Sequence, residues 1–404
     1  MKDATDCFGG VDWATDRHAV AIVGPAGERV DRFEVENTTA GLSECCRRLE
    51  RQAVARVAIE RPDGPVVDAL LKAGLEVVVV SSRAVKALRE RYGQAGNKSD
   101  LSDAYVLADC LRTDGHRWRS LEPDSPATVT LRAHTRARKD LVEARVAMAN
   151  QLRAHLRVAF PGAVGLFSEI DSPISLAFLE RFPCASKAAW LSEKRLSAWL
   201  KANGYCGRKT GGELYAHLKR APAGALGEEG DARGAIVVAF VEVLVSLRSQ
   251  IDELSKRIAE LLDAHPDGAI FSSLPRSGTV RAATLLAEIG DCRARFPDPE
   301  SLACLAGVAP STRQSGRHRD VQFRWAADKK LRDALCDFAG DSWQANLWAE
   351  HRYRELRAAR KRHAHAERIL ARSWAHIIWR CWQDRVPYDE TRHVALQRLL
   401  KPGA

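Results

Sequence analysis

No two of the ten cysteines in this 404-residue chain are spaced as a CxxC pair, and only Cys45 and Cys46 are close neighbours. That spacing argues against a zinc ribbon or a disulfide framework. The opening Met1-Lys2-Asp3-Ala4-Thr5-Asp6 lacks the apolar core of a signal peptide. No uninterrupted apolar run approaches the roughly 20 residues that cross a bilayer. The compartment expected from these absences is the reduced cytoplasm, with no membrane partner. Positive charge, in contrast, is plentiful: 62 Lys and Arg stand against 52 Asp and Glu, a formal net charge of +10. Such a balance favours a polyanion, because each cation that neutralises a phosphate releases condensed counterions.

The first part of the chain alternates apolar and polar residues as strands do: Phe8 to Asp12, Ala19 to Val23 and Val30 to Val35, with a turn signal at Pro25-Ala26-Gly27-Glu28. A helical stretch near Ala40 to Gln52 follows. Two nearly continuous apolar runs, Val54 to Ile59 and Leu75 to Val80, flank a helical segment at Val66 to Lys72 and suit buried parallel strands. Three antiparallel strands followed by alternating helices and parallel strands is the order of an α/β RNase H-like fold, and equally of the sugar-kinase and actin fold.

Residues 127 to 158 read as one long helix with an apolar stripe at Leu131, Leu141, Ala144, Met148, Leu152 and Leu156. A second stripe runs through Val237, Val241, Leu244, Leu247, Ile251, Leu254, Ile258 and Leu261. Steps of three and four, in the first stripe from Leu141 onward with Leu131 a further apolar position upstream, predict an antiparallel helical arm or coiled coil. The glycine-rich stretch between them carries no recognisable chemistry.

The remainder reads as a mainly α domain. Leu274-Pro275-Arg276-Ser277-Gly278-Thr279 before the helix Val280 to Ile289 resembles a helix-hairpin-helix, whose tight turn brings backbone N–H groups to a phosphate. From Trp325 to Trp382 the chain interleaves six of its ten tryptophans with cations. The tryptophans are expected in the core. Nine basic residues between His351 and Arg380 face only Glu355 and Glu367, so the arginines are expected on phosphates. Domain boundaries on this reading fall at 1–125, 126–267 and 268–404.

Four acids occur where such a fold would bring them together. Asp12 ends the first strand and Glu60 the fourth. Asp100 and Asp103 are separated by three residues at the start of a helix continuing through Leu107 and Ala108, in the context Asn97-Lys98-Ser99-Asp100. Clustered carboxylates repel unless cations bind, and an all-oxygen set suits Mg²⁺ or Mn²⁺. Two such ions roughly 4 Å apart can serve an in-line phosphoryl displacement. A blander account has Ser99 capping the helix, with Asp103 in its first turn. Asp109 is read as a helix-surface residue.

These residues resemble the DEDD transposases of bacterial insertion sequences, the group numbered one hundred and ten. Asp12, Glu60, Asp100 and Asp103 match that family's RuvC-like tetrad one for one. Ala282 to Asp291, Phe296, Leu305 to Pro310, Ser315-Gly316, Pro387-Tyr388-Asp389 and His393 are similar to its C-terminal part. Leu274-Pro275-Arg276-Ser277-Gly278 departs from the family's commoner Pro-Gly-Ile-Gly turn. The resemblance implies a DNA recombinase that combines the RuvC-like acids with a serine, here Ser315. It also implies a structured bridge RNA pairing with donor and target DNA, and assembly as a dimer of dimers. Read from the residues alone, Ser315 sits in a flexible cationic segment, where Arg317 and Arg319 could hold a phosphate. Arg357, Arg360, Lys361 and Arg362 are the further nucleic-acid contacts expected.

Other classes share parts of this pattern. A carbohydrate or acetate kinase would fit the opening strands, but no duplicated domain with a second glycine-rich phosphate loop follows. A RuvC-like junction nuclease would need the acids and not Ser315. A non-catalytic nucleic-acid-binding protein would need only the basic C-terminal part.

Overall fold

The computed structural model describes residues 7–92 and 99–400, and the chain divides into two compact units, Met1–Pro123 and Asp124–Ala404. Asn97 and Lys98 of the acidic motif lie outside the described residues.

The first unit is a mixed α/β layer structure. Strands β1 (Cys7–Asp12), β2 (Arg17–Val23) and β3 (Arg29–Glu36) form an antiparallel meander, and β4 (Val54–Ile59) and β5 (Glu76–Val79) add in parallel on the other side of β1. The sheet order is β3-β2-β1-β4-β5. β1 is thus central, and its neighbour β4 points the same way. The burial pattern explains the register: the edge strand β3 buries only alternate residues, Phe33 and Val35, whereas β2 is buried over its last six residues. Helices α1 (Thr39–Arg51) and α2 (Pro65–Lys72) close one face over Val11, Val20, Val57 and Ile59. Helices α3 (Ser82–Arg89) and α4 (Asp100–Asp114) close the other over Ala58 and Val78.

The second unit is mostly helical. Helix α5 (Pro126–Ala159) starts on a Ser125 cap and Pro126. Four short helices follow: α6 (Pro173–Arg181), α7 (Ala185–Ala188), α8 (Glu193–Ala202) and α9 (Gly211–Arg220). Helix α10 (Gly227–Ala264) returns antiparallel to α5. Leu152 and Leu156 share a core with Val237, Val241 and Leu244 at one end, and Leu131 shares another with Ile258 and Leu262 at the other. The stripes predicted from sequence are therefore the contact faces, except that Ala144 is exposed. The short helices complete the first of these cores through Phe178, Phe182, Leu196 and Leu214, which gives the glycine-rich stretch a packing role.

Helix α10 is long and apolar enough to cross a membrane by length and composition alone, yet it holds no uninterrupted apolar run of that length. Glu242 and Arg248 interrupt its apolar stretch, and Arg248 donates to the Asp171 carbonyl. The second core collects α11 (Gly268–Ser272), α12 (Gly278–Ile289), α13 (Pro299–Leu305), α14 (Lys329–Ser342), α15 (Leu347–Ala358) and α16 (His363–Asp384) around Trp374 and Trp382. A two-stranded hairpin, β6 (Ser311–Ser315) and β7 (His318–Gln322), interrupts these helices.

Candidate functional site

Strand alternation places two of the four acids side by side. The parallel ladder between β1 and β4 ends on the pair Val11–Ile59, so Asp12 and Glu60 each follow the last rung on adjacent strands. Neighbouring strands lie about 4.8 Å apart, and paired positions share a face. Asp12 lies on the face of Gly10, and Glu60 on that of Ala58, the rung partner of Gly10. That face is covered by α4. A Cβ built on Gly10 would stand 2.1 Å from the Ala104 carbonyl oxygen and 2.5 Å from the Ala108 nitrogen. Glycine thus lets the helix backbone rest on the strand. Leu111 packs near Phe8, and Ala104 and Leu101 pack near Ala19, the partner of Asp12. Helix α4 therefore runs antiparallel to β1, with its first turn over the strand ends that carry Asp12 and Glu60. Gly10→Ala is expected to lever α4 off the sheet and cost about 1–3 kcal/mol. An unchanged thermal midpoint would show that the helix does not depend on this approach.

The loops after the two strands are also joined. The Arg61 guanidinium lies 4.2 Å from the centre of the Trp13 ring and pairs with Asp63 at 2.8 Å. Behind Asp12, the buried His18 accepts the Ala14 N–H at Nδ1, and burial lowers its pKa and favours the neutral ring.

The two helical acids have different fates. Asp100, at the first helical position after the Ser99 cap, is exposed. Asp103 is 2% exposed and receives both arms of Arg89 from α3, Nε to Oδ1 at 2.5 Å and Nη2 to Oδ2 at 2.6 Å. Among the described residues no three His, Cys, Asp or Glu side chains are grouped to hold a metal ion. In this conformation Arg89 supplies to Asp103 the positive charge that a cation would bring, so a metal ion shared by the four acids would have to displace that guanidinium. Arg89 was not anticipated from sequence. Asp109, expected on the surface, is buried: the Tyr92 phenol donates to it at 2.6 Å and Arg112 Nε at 2.7 Å. Burial and that carboxylate hold the Tyr92 phenol protonated far above its usual range.

Ser315 lies in the second unit, on a hairpin and not in the flexible segment expected. It is the last residue of β6, before the two-residue loop Gly316-Arg317, where Gly316 has φ of +56°. Its cross-strand partner is His318, and the next pair on the same face is Arg313 with Asp320. Arg319 pairs with Gln314 on the opposite face. The strand register thus puts a histidine and Arg313 beside the serine, and moves Arg319 away from the position expected for it. Arg317 lies in the loop. A Ser-Gly-X-His spacing across a two-residue turn is the sequence signal that could have identified His318.

The cations of the last helices sort into two groups. Arg352 pairs with Glu355, Arg354 with Glu350, Arg372 with Glu300 and Arg380 with Asp384, while Arg368 lies over the Phe323 ring. Of the nine basic residues that the sequence assigned to phosphates, four are therefore engaged in ion pairs, three with acids on neighbouring turns and one with Glu300 on α13. Arg357, Arg360, Lys361 and Arg362 cluster at the turn between α15 and α16. All four are exposed, with no carboxylate partner among the described residues. The helix-hairpin-helix-like turn between α11 and α12 also has its cations engaged: Arg276 pairs with Asp341, and Arg281 with Asp337 and Asp341. The buried tryptophans meet the expectation of a core role, with Trp374 and Trp382 fully enclosed.

Comparison with known proteins finds two family models that match the chain. A DEDD-type family model of the IS110 group, described as "Transposase", matches residues 9–161. Another, described as "Transposase IS116/IS110/IS902 family", matches residues 268–354. The chain is 33% identical to the "Mini-circle putative transposase for IS117" of Streptomyces coelicolor, over 100% of both chains. It is 25% identical to the IS110 uncharacterized 43.6 kDa protein of the same organism, covering 96% of this chain and 97% of that one. With the IS900 uncharacterized 42 kDa protein of Mycobacterium paratuberculosis it shares 26% identity, over 95% and 98% of the two chains.

Proposed function

The chain belongs to the IS116/IS110/IS902 family of insertion-sequence transposases, and from that premise we propose that it cuts and rejoins DNA with two separate chemistries. One is a carboxylate chemistry of an RNase H-like, RuvC-like unit at Asp12, Glu60, Asp100 and Asp103. The other is a covalent chemistry at Ser315. The observation that carries the reading is the placement of Asp12 and Glu60 on adjacent central strand ends under the first turn of α4. Adjacent carboxylates at strand ends are an arrangement that a divalent cation can use, which supports the carboxylate reading.

DEDD transposases are in general divalent-metal dependent; Mg²⁺ or Mn²⁺ at these acids in this chain is part of the proposal. Residues 1–125 would carry the acids, 126–267 the arm and 268–404 the serine and the basic surface. Donor and target DNA, a bridge RNA and a dimer of dimers are the partners the resemblance implies, acting at the nucleoid in the cytoplasm. The reading is tested by incubating the purified protein with donor and target DNA, guide RNA and Mg²⁺. Joined product is expected, and nicking without joining would favour a junction nuclease.

The turn bearing Arg357, Arg360, Lys361 and Arg362 is proposed to grip phosphates. Duplex affinity should fall steeply with salt, log K changing by about 0.9 per phosphate neutralised for each tenfold rise. Replacing the four residues by Ala should flatten that slope. A slope unchanged by the fourfold substitution would place the phosphates elsewhere.

A further inference from the structure

Trp325 is the one tryptophan of the C-terminal stretch that the core does not take. It is 80% exposed, more than any other large apolar side chain among the described residues. Its base is fixed. The ring packs edge-on against Phe323, centroids 4.8 Å apart and planes at 80°. Phe323 is itself held by two guanidinium groups, Arg332 and Arg368, each 4.6 Å from its centre. Arg332 Nη2 donates to the Arg324 carbonyl at 2.8 Å, and Arg324 in turn donates to the carbonyls of Ala309 and Pro310. The residue before the indole is therefore tied through its carbonyl to α14 and through its side chain to the residues that precede β6. An ordered segment that presents a large aromatic ring to water exposes apolar area that folding normally removes.

The surroundings identify what would cover it. Between Arg313 and Arg332 the chain has seven Lys and Arg and two Asp, and one of those two, Asp328, is used to cap α14. Arg319 and the 57% exposed Val321 precede Phe323 and Trp325 at alternate positions of the same segment. Two copies of so cationic a segment repel, whereas a polyanion is attracted. An indole face is matched by the face of a nucleobase, and bases show their faces only when they are out of a duplex stack.

We infer that Trp325 is a stacking platform for an unpaired base, with the hairpin cations holding the phosphates on either side. This inference rests on the nucleic-acid-acting reading above and adds the class of ligand: a single-stranded stretch of DNA or RNA. The test uses the full chain with three probes: oligothymidine, oligouridine of the same length, and a blunt duplex. Trp325→Ala is expected to weaken a single-stranded probe by about 5- to 150-fold. Duplex affinity and thermal midpoint should stay unchanged, and Trp325→Phe should recover most of the loss. The two single-stranded probes separate a DNA strand from an RNA strand as the natural source. Equal weakening on single strand and duplex, unchanged affinity for both single strands, or a change of molar mass in place of affinity would each overturn the inference. Failure of the wild-type protein to bind any of the three probes would instead remove the reading on which it rests.

Discussion

Ser315→Ala is expected to eliminate both strand joining and any protein–DNA adduct that survives denaturant, while duplex binding persists. A serine hydroxyl is a weak nucleophile near neutral pH and needs a base within reach. The hairpin supplies one in register: Ser315 and His318 are cross-strand partners flanking Gly316-Arg317, and such partners hold their Cβ atoms about 4.5–5.5 Å apart. In the step this arrangement allows, Oγ bonds to phosphorus as the bond to the departing nucleotide oxygen breaks. The hydroxyl proton passes to the imidazole and is available to the leaving oxygen. Arg313, on the same face, would offset the phosphate charge. His318→Ala is accordingly expected to slow adduct formation by about 10²–10⁴-fold, the usual contribution of a positioned base. Two serines serve as controls. Ser277 is buried at the start of α12, and Ser311 stands at the far end of β6. Their Ala variants should keep the adduct, though Ser277→Ala also tests packing. Normal recombination by Ser315→Ala would leave water as the nucleophile and the chain as a nuclease.

What was legible in the sequence was whatever a single period could carry. The five strands follow from alternation and from the apolar runs Val54 to Ile59 and Leu75 to Val80, and their order follows from the helices between them. The two long helices were legible for the same reason. The β6–β7 hairpin was not, because Arg313-Gln314-Ser315 and His318-Arg319-Asp320 are polar on both faces and show no alternation; only Gly316 marks the turn. Arg89 was hidden for another reason. It is one of three cations on helix α3, and nothing local says that it reaches across to Asp103 on α4. Counting charges along the chain also misses the acids that distant elements bring, since Arg372 of α16 finds Glu300, on α13. Periodicity reports which side of an element is buried, and it is silent on which distant charge a side chain meets.

Asp12→Asn and Asp103→Asn are both expected to abolish DNA cleavage, and they should part company in stability. Asp12 and Glu60 are like charges on neighbouring strand ends. Asp12 is only partly buried and its replacement lowers the like charge, so the thermal midpoint should fall less than in Asp103→Asn. Asp103 is enclosed and doubly bonded to Arg89, whose own side chain is 34% exposed. Replacing its carboxylate by an amide removes charge-assisted hydrogen bonds and should cost about 1–3 kcal/mol. The reciprocal variant, Arg89→Gln, leaves a buried carboxylate without its cation and should cost more, about 3–5 kcal/mol. That variant also separates the catalytic reading from a structural one without recourse to activity. If Asp103 belongs to a cation-binding set together with Asp12, Glu60 and Asp100, Mg²⁺ or Mn²⁺ should restore part of the lost midpoint in Arg89→Gln. It should do much less in the wild-type protein, where the guanidinium occupies that carboxylate, and nothing in Arg89→Gln combined with Asp12→Asn. A midpoint in Arg89→Gln that ignores divalent cations at every concentration would make the Arg89–Asp103 pair a brace between α3 and α4, and would withdraw Asp103 from the proposed site.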